Sequence, residues 1–265
     1  MNLPTLTAFL PCRAGSERVK KKNVRAFAGI DGGLTRIKLE QLLNVRGVGR
    51  IILSTDDQDV AAVAVSIGNE RIEILGRPAE LASSTCHTDA LIRHIPDIIA
   101  DEHILWTHVT SPFVNETLYE AAIAAYFTGL QEGKDSLMSV TKIQKFLWDD
   151  KGPMYDTSEA NWPRTQTIHP IYEVNSGIFI ANRATYVNDG NRIGKRPVLF
   201  EIDDLLAFDI DWEHDFELAE LLWDKRHGGP KSEDGCQRSE VGKRRSQTSE
   251  IGDQRSEVGD LTPGV

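Results

Sequence analysis

Hydrophobic and polar positions along the chain fall into two alternating rhythms. Short apolar runs at Thr7 to Pro11, Arg50 to Ser54, Ile72 to Leu75, Ile104 to Val109 and Ser136 to Val140 have the length of buried strands. Between most of them the apolar residues recur at helical spacing, which predicts helices over about 34–46, 57–67, 87–100 and 115–129. Thr55-Asp56-Asp57 and Asn115-Glu116 supply capping groups ahead of two of these segments. Strand and helix in alternation predict parallel β-α-β units and an α/β fold.

The rhythm breaks between Gln144 and Pro170, where Trp148, Gly152, Pro153, Trp162 and Pro163 interrupt any period, so this interval reads as a long loop or excursion. Beyond it, Ile171 to Ala181 and Val198 to Glu201 read as strands. Glu213 to Asp224 reads as a last helix with Phe216, Ala219, Leu222 and Trp223 on one side. From Gly228 there are no aromatic residues, and SEVG, SEIG and SEVG recur. The expected organisation is one domain over 1–227 and a disordered low-complexity tail over 228–265, because the tail cannot bury enough apolar surface to offset the entropy of ordering.

Composition narrows the function classes. The 265 residues carry 30 Lys+Arg against 40 Asp+Glu, a formal net charge of −10, which opposes general attraction to nucleic acid. Cys12, Cys86 and Cys236 have no metal-ligand spacing and form no disulfide framework, which fits a reducing cytoplasm. Neither a signal peptide nor a run of 18 apolar residues is present, so the expectation is a soluble cytoplasmic protein.

Against this acidic background, LPCRAGSERVKKKNVR at 10–25 leaves a strand end with a Gly-Ser turn and a cluster of cations. Arg13, Gly15, Ser16, Arg18, Lys20, Lys21, Lys22 and Arg25 offer what phosphate oxygens need: cations, a hydroxyl donor and a glycine that lets the backbone approach. Neither G-x-x-x-x-G-K-[ST] nor G-x-G-x-x-G is formed there. A solvated charge run is the ordinary reading of Lys20 to Lys22.

Asp209 and Asp211, two apart on extended backbone, point to one side and can share a hard cation such as Mg²⁺, or Asp211 can simply cap the last helix. Gly76 to Asp89 brings Arg77 and small hydroxyl residues to another strand end, and Trp106 to Phe113 brings His108, Thr110 and Ser111 to a third. Arg164, Gln166 and the Tyr172 to Gly177 stretch add polar groups, and Arg164 has the fork that pairs with a carboxylate. No Gly-x-Ser-x-Gly elbow or His-Glu-x-x-His pattern supports a hydrolase.

In order, these segments resemble the acylneuraminate cytidylyltransferases, or CMP-sialic acid synthetases, including branches acting on pseudaminic and legionaminic-type acids. PCRAGSERVKKKN is similar to the family's P-A-R-x-G-S-K-x-x-x-x-K-N at Pro11, Arg13, Gly15, Ser16, Lys22 and Asn23. Ile51 to Asp57 carries S-T-D-D, Arg77 to Ala82 carries R-P-A-E-L-A, and Thr110 to Pro112 carries T-S-P. Asn175 and, after one inserted residue, Gly177 match N-G, and Asp209 to Glu220 match the D-I-D ending. The resemblance spans about residues 5–224.

What the resemblance implies is a three-layer α/β/α Rossmann-like nucleotide-diphospho-sugar transferase fold with a mostly parallel central sheet. It further implies transfer of CMP from CTP to a sialic acid-like 2-keto sugar acid. Arg13, Gly15, Ser16, Lys22 and Asn23 would hold the triphosphate, with Arg77, Ser84 and His108 also at the nucleotide. Lys142, Arg164, Gln166 and Asn175 would face the sugar acid. Asp209 and Asp211 would ligate Mg²⁺ (or Mn²⁺), and Arg13, Lys22 and Asp211 would be catalytic. A homodimer is implied as well. Lys20 and Lys21 are left outside the site.

Three positions depart from the family pattern. Glu17 stands where a lysine is usual, with Arg18 as a candidate substitute, and His108 and Val109 stand where a glutamine and a proline are usual. The competing readings are the same chemistry on 3-deoxy-manno-octulosonate, a catalytically silent nucleotide-binding homologue, and a basic nucleic-acid module.

Overall fold

Residues Leu6 to Leu10 and Ile51 to Leu53 are almost completely inaccessible to solvent, as strands covered on both faces must be. The computed structural model describes residues 4–15, 18–83 and 85–228. Ser16, Glu17 and Ser84, and the expected tail apart from Gly228, lie outside the described residues.

The elements follow in alternation: β1 (Leu6–Cys12), α1 (Gly33–Asn44), β2 (Val48–Thr55), α2 (Gln58–Ile67), β3 (Ile72–Gly76), the single turn α3 (Ala79–Ala82), α4 (Thr88–Ile98), β4 (His103–Trp106) and α5 (Glu116–Gln131). Then come β5 (Ser136–Ile143), the small hairpin β6 (Trp148–Asp149) and β7 (Gly152–Pro153), β8 (Ile171–Asn182), α6 (Arg183–Asp189), β9 (Pro197–Glu201) and α7 (Glu213–His227). Both expected caps are formed. Asp57 accepts hydrogen bonds from the Asp59 and Val60 amides, and Asn115 accepts one from Leu118.

Seven strands form one sheet in the order β3-β2-β1-β4-β8-β5-β9, and only β8 runs antiparallel to its neighbours. Side chains alternate between two cores, as strand geometry dictates. Ala8, Leu10 and Cys12 pack on the face covered by α1, α2, α5 and α7, while Phe9, Ile104 and Trp106 pack on the face covered by α4 and α6. This is the expected three-layer α/β/α architecture with a mostly parallel sheet.

Three differences from the sequence reading have local causes. The strand expected over Ile104 to Val109 stops at Trp106, because β8 leaves the ladder there. Met138 pairs with Phe179, but Val140 pairs with Val174, so four residues of β8, Asn175 to Ile178, stand opposite Ser139 alone and the strand bulges there. α6 was not expected, since its seven residues hold too few apolar positions to show a period, although Asn182 caps its start and Gly190 its end in a left-handed conformation. The excursion over 144–170 contains the β6-β7 hairpin and a 3₁₀ turn at Thr165–Thr167.

Candidate active site

The segments of interest meet at the carboxyl ends of β1, β2, β3 and β4, where ligands bind in folds of this kind. The loop after β1 is pinned from several sides. The Ala14 amide donates to Asp56 at 2.8 Å, the buried Asn23 donates from Nδ2 to the Arg13 carbonyl, and the Asn23 carbonyl accepts from both the amide and the hydroxyl of Thr35 on α1. Gly15 has φ +76°, a left-handed conformation that favours glycine. Asn23 thus shapes the loop, and Arg13 projects from it exposed.

The three consecutive lysines have different fates. Lys20 is exposed, and Lys21, held at φ +51°, turns outward to Asp59 at 2.9 Å. Lys22 turns inward, donates to the Ile210 carbonyl at 2.6 Å and stands 3.9 Å from Asp211. Burial lowers the Lys22 pKa, against the opposing pull of Asp211 and Asp209. Arg18 reaches the same carboxylate at 2.9 Å and lies over the Trp212 ring at 5.0 Å. The loop after β1 and the segment before α7 therefore form one charged surface.

Asp211 does not cap α7. Its amide, with that of Trp212, donates to Asp215, which leaves the Asp211 carboxylate to the two cations. Asp209 is more enclosed: its Oδ1 is buried without a partner, and burial raises its pKa, with Asp211 adding to the effect. The Ile210 amide between them donates to the Thr110 carbonyl, which ties this segment to the loop after β4. Among the described residues no three His, Cys, Asp or Glu side chains cluster as a metal site. A partnerless buried oxygen beside a second carboxylate nonetheless suits a hard cation that keeps waters in its other positions.

Arg77 is buried and turned back onto the end of β2, donating to the Ser54 carbonyl at 2.9 Å and to its hydroxyl. His108 corrects the sequence reading most clearly. Its Nδ1 donates to the Ser176 carbonyl at 3.0 Å, and its Nε2 accepts from the Trp106 indole at 3.0 Å, so neither ring nitrogen is left for a nucleotide. Burial, with Arg192 as the next cause, brings its pKa down to about 4 and keeps it neutral. It anchors the β8 bulge, where Ser176, the inserted residue, takes φ +58°.

That bulge carries Asn175 to a cleft of about 290 Å³ whose walls also include Glu173, Asp204, Asp209 and Asp211. Asn175 is itself engaged, accepting from Ser139 Oγ and donating to Thr141 Oγ1. Lys142 lines an adjoining cleft of about 280 Å³ with Glu201, Asp203 and Asp204. Arg164 and Gln166 are exposed on the excursion and line neither cleft.

The sequence reading missed Lys38. It is wholly buried on α1, donates to the Ser111 and Val114 carbonyls at 2.9 and 2.7 Å, and lies 5.0 Å from the Tyr119 ring centre. The signal was its spacing, because steps of four from Leu34 to Lys38 to Leu42 place it on the buried face.

Residues 7–226 match a family model described as cytidylyltransferase. An N-acylneuraminate cytidylyltransferase of Escherichia coli O18:K1:H7 is 29% identical over 84% of this chain and 53% of its own, so the chain spans about half the length of that relative. A pseudaminic acid cytidylyltransferase of Campylobacter jejuni is 22% identical over 83% of this chain and 96% of its own. Among solved structures, a CMP:2-keto-3-deoxy-manno-octonic acid synthetase complexed with CTP superposes with a TM-score of 0.59 at 15% identity, covering 84% of this chain and 99% of that one.

Proposed function

The chain belongs to the cytidylyltransferase family, and from that premise we propose that it transfers CMP from CTP to the anomeric hydroxyl of a sialic acid-like 2-keto sugar acid. The observation that carries this reading is the meeting of the two charged segments. Arg18 and Lys22 from the loop after β1 converge on Asp211, next to the partnerless oxygen of Asp209.

In the proposed reaction the sugar hydroxyl forms a bond to the α-phosphorus of CTP while the bond to the β-phosphate breaks and pyrophosphate leaves. Arg13, Lys22 and Arg18 offset the charge of the triphosphate, with Gly15 and Ser16 giving the backbone and hydroxyl contacts. The hydroxyl proton goes to a carboxylate of the Asp209-Asp211 pair. Asp209 and Asp211 would hold Mg²⁺ or Mn²⁺, which when bound supplies charge neutralisation at the phosphate.

Arg77 and Ser84 are assigned to the cytidine side, and Lys142 and Asn175 to the sugar. His108 is reassigned from contacting the nucleotide to positioning the bulge that bears Asn175. Asn23 acts through the loop it shapes. A homodimer is part of the proposal, supported by Trp148 and Trp162, which are 61% and 68% exposed on the excursion. A cytoplasmic location is likewise proposed; among the described residues no helix is long and apolar enough to cross a membrane.

The test is pyrophosphate release from CTP across a panel of sialic, pseudaminic, legionaminic and 3-deoxy-manno-octulosonic acids. Release with one or more of the nonulosonates is expected. CTP binding without release for any acid would overturn the reading in favour of a silent nucleotide-binding protein.

A further inference from the structure

Across the β8 bulge runs a chain of hydrogen bonds whose direction is fixed at its start. The Ile178 amide donates to Ser139 Oγ at 2.8 Å, and the Ser139 side chain is closed to solvent. Having accepted there, Ser139 turns its own proton to Asn175 Oδ1 at 2.5 Å. The Gly177 amide donates to the same oxygen at 3.3 Å. A backbone N–H can only donate, so the atom it meets is the oxygen of the Asn175 amide, and the amide cannot be turned over. Asn175 Nδ2 in turn donates to Thr141 Oγ1 at 3.3 Å.

This order decides what the end of the chain can offer. Both lone pairs of Asn175 Oδ1 are taken, so the amide has one N–H left to give. Thr141 Oγ1 has accepted from Asn175, so its own proton is left for another partner. Ser139 and Thr141 stand two apart on β5 and share a face. Thr141 and Asn175 both line the cleft of about 290 Å³ that also holds Asp209 and Asp211.

Glu173 and Asp204 are further carboxylates on the walls of that cleft, and carboxylates accept. A sugar acid is rich in acceptor oxygens and carries a negative charge of its own, so donors are what can hold it there. We propose that the Thr141 hydroxyl donates to an acceptor oxygen of the sugar acid, and that Ser139, acting through Asn175, is the positioning residue that keeps the Thr141 proton turned to the cleft. This rests on the cytidylyltransferase reading above, and it adds a sugar-binding residue and the direction of its hydrogen bond.

The experiment measures KM for CTP and for the sugar acid turned over best by the wild type in Thr141→Val, Thr141→Ala, Thr141→Ser, Ser139→Ala and the double variant Ser139→Ala/Thr141→Val. Thr141→Val keeps the shape of the side chain and removes the proton. It should raise KM for the acid about tenfold and keep KM for CTP within about twofold. Thr141→Ala should do the same, and it decides the question where Thr141→Val fails to fold. Thr141→Ser keeps the hydroxyl and should stay within about threefold of the wild type. Ser139→Ala should raise KM for the acid about threefold or more by itself, yet add nothing to it in the Thr141→Val background. A residue that only supported the fold would lower the melting temperature in both backgrounds without moving this KM. An unchanged KM for the acid in Thr141→Val and Thr141→Ala, a KM for CTP that rises in step, or a Thr141→Ser variant as impaired as Thr141→Val would each overturn the inference alone. Equal effects of Ser139→Ala on this KM with and without the Thr141 hydroxyl would overturn the positioning role. A wild type that turns over no sugar acid would overturn the parent reading and this inference with it.

Discussion

Asp211 Oδ1 accepts a hydrogen bond from Arg18 Nη2 at 2.9 Å, although 193 positions separate the two residues. The pair joins the loop after β1 to the segment before α7. Its side chains are 49% and 48% exposed, so the bond contributes little to stability, on the order of 0–1 kcal/mol. A weak pair exchanges easily. In the proposed reaction Arg18 would turn to phosphate when a triphosphate binds and release Asp211 to a cation, the role that the glutamate at position 17 cannot fill.

Asp211→Asn tests the carboxylate half of that exchange. Pyrophosphate release should fall roughly a hundredfold or more, since charge at the phosphate is no longer neutralised, while urea unfolding stays cooperative. Near-normal release, with an unchanged dependence on added Mg²⁺, would refute the metal assignment.

Lys22 differs from its two neighbours in the direction it faces, so the three lysines should differ in effect. Lys22→Ala should weaken CTP binding about tenfold or more, as expected for a charge-assisted bond to phosphate, whereas Lys20→Ala should leave it unaltered. Calorimetric titration with CTP distinguishes them, and equal affinities for wild type and Lys22→Ala would rule out a phosphate contact.

These residues also mark how far the sequence could be read. Apolar runs and caps are local, so β1, β2, α2, α5 and the α/β alternation were legible from spacing alone, while the three-layer order came from the family resemblance. The inward turn of Lys22 was not, because it is set by the positive φ of Lys21 and by the Ile210 carbonyl far along the chain. His108 was read as a nucleotide contact for the same reason: its partners are a neighbouring indole and a carbonyl on β8, which no spacing reveals. The inserted Ser176 was visible, but that it makes a bulge rather than a register slip depends on how β5 and β8 pair.

Lys38 should be stabilising despite the cost of burying an amine. Burial pushes its pKa well below the ordinary lysine value, but even an uncharged amine can still donate to Ser111 and Val114. Lys38→Met keeps the stem and removes the donors, leaving two carbonyls unpaired, and should cost about 1–3 kcal/mol in denaturant unfolding. Equal or greater stability in the variant would show that desolvation outweighs both bonds.

The exposed aromatic side chains of the excursion bear on assembly. Trp148, Met154 and Trp162 are 61%, 52% and 68% exposed on this one excursion. A Trp148→Ser/Trp162→Ser double variant should convert a dimer to a monomer by light scattering, with a raised KM for the sugar acid. A wild type that is monomeric at micromolar concentration would refute the proposed homodimer.

His108 gives the pH prediction. In the folded chain its pKa is brought down to about 4, against an ordinary value of 6.5. Folding therefore excludes a proton that the unfolded chain takes up below about 6.5, so the contribution of neutral His108 is fully present above that pH and declines as pH falls toward 4. His103, also lowered by burial, adds a slope of the same sign, so the wild-type curve alone does not isolate His108. His108→Gln does, because glutamine carries no titrating proton and can still offer a donor to the Ser176 carbonyl and an acceptor to the Trp106 indole. The variant should lose less stability than the wild type between pH 6.5 and 4 in urea titrations, and parallel curves would show that His108 is not held neutral by the fold.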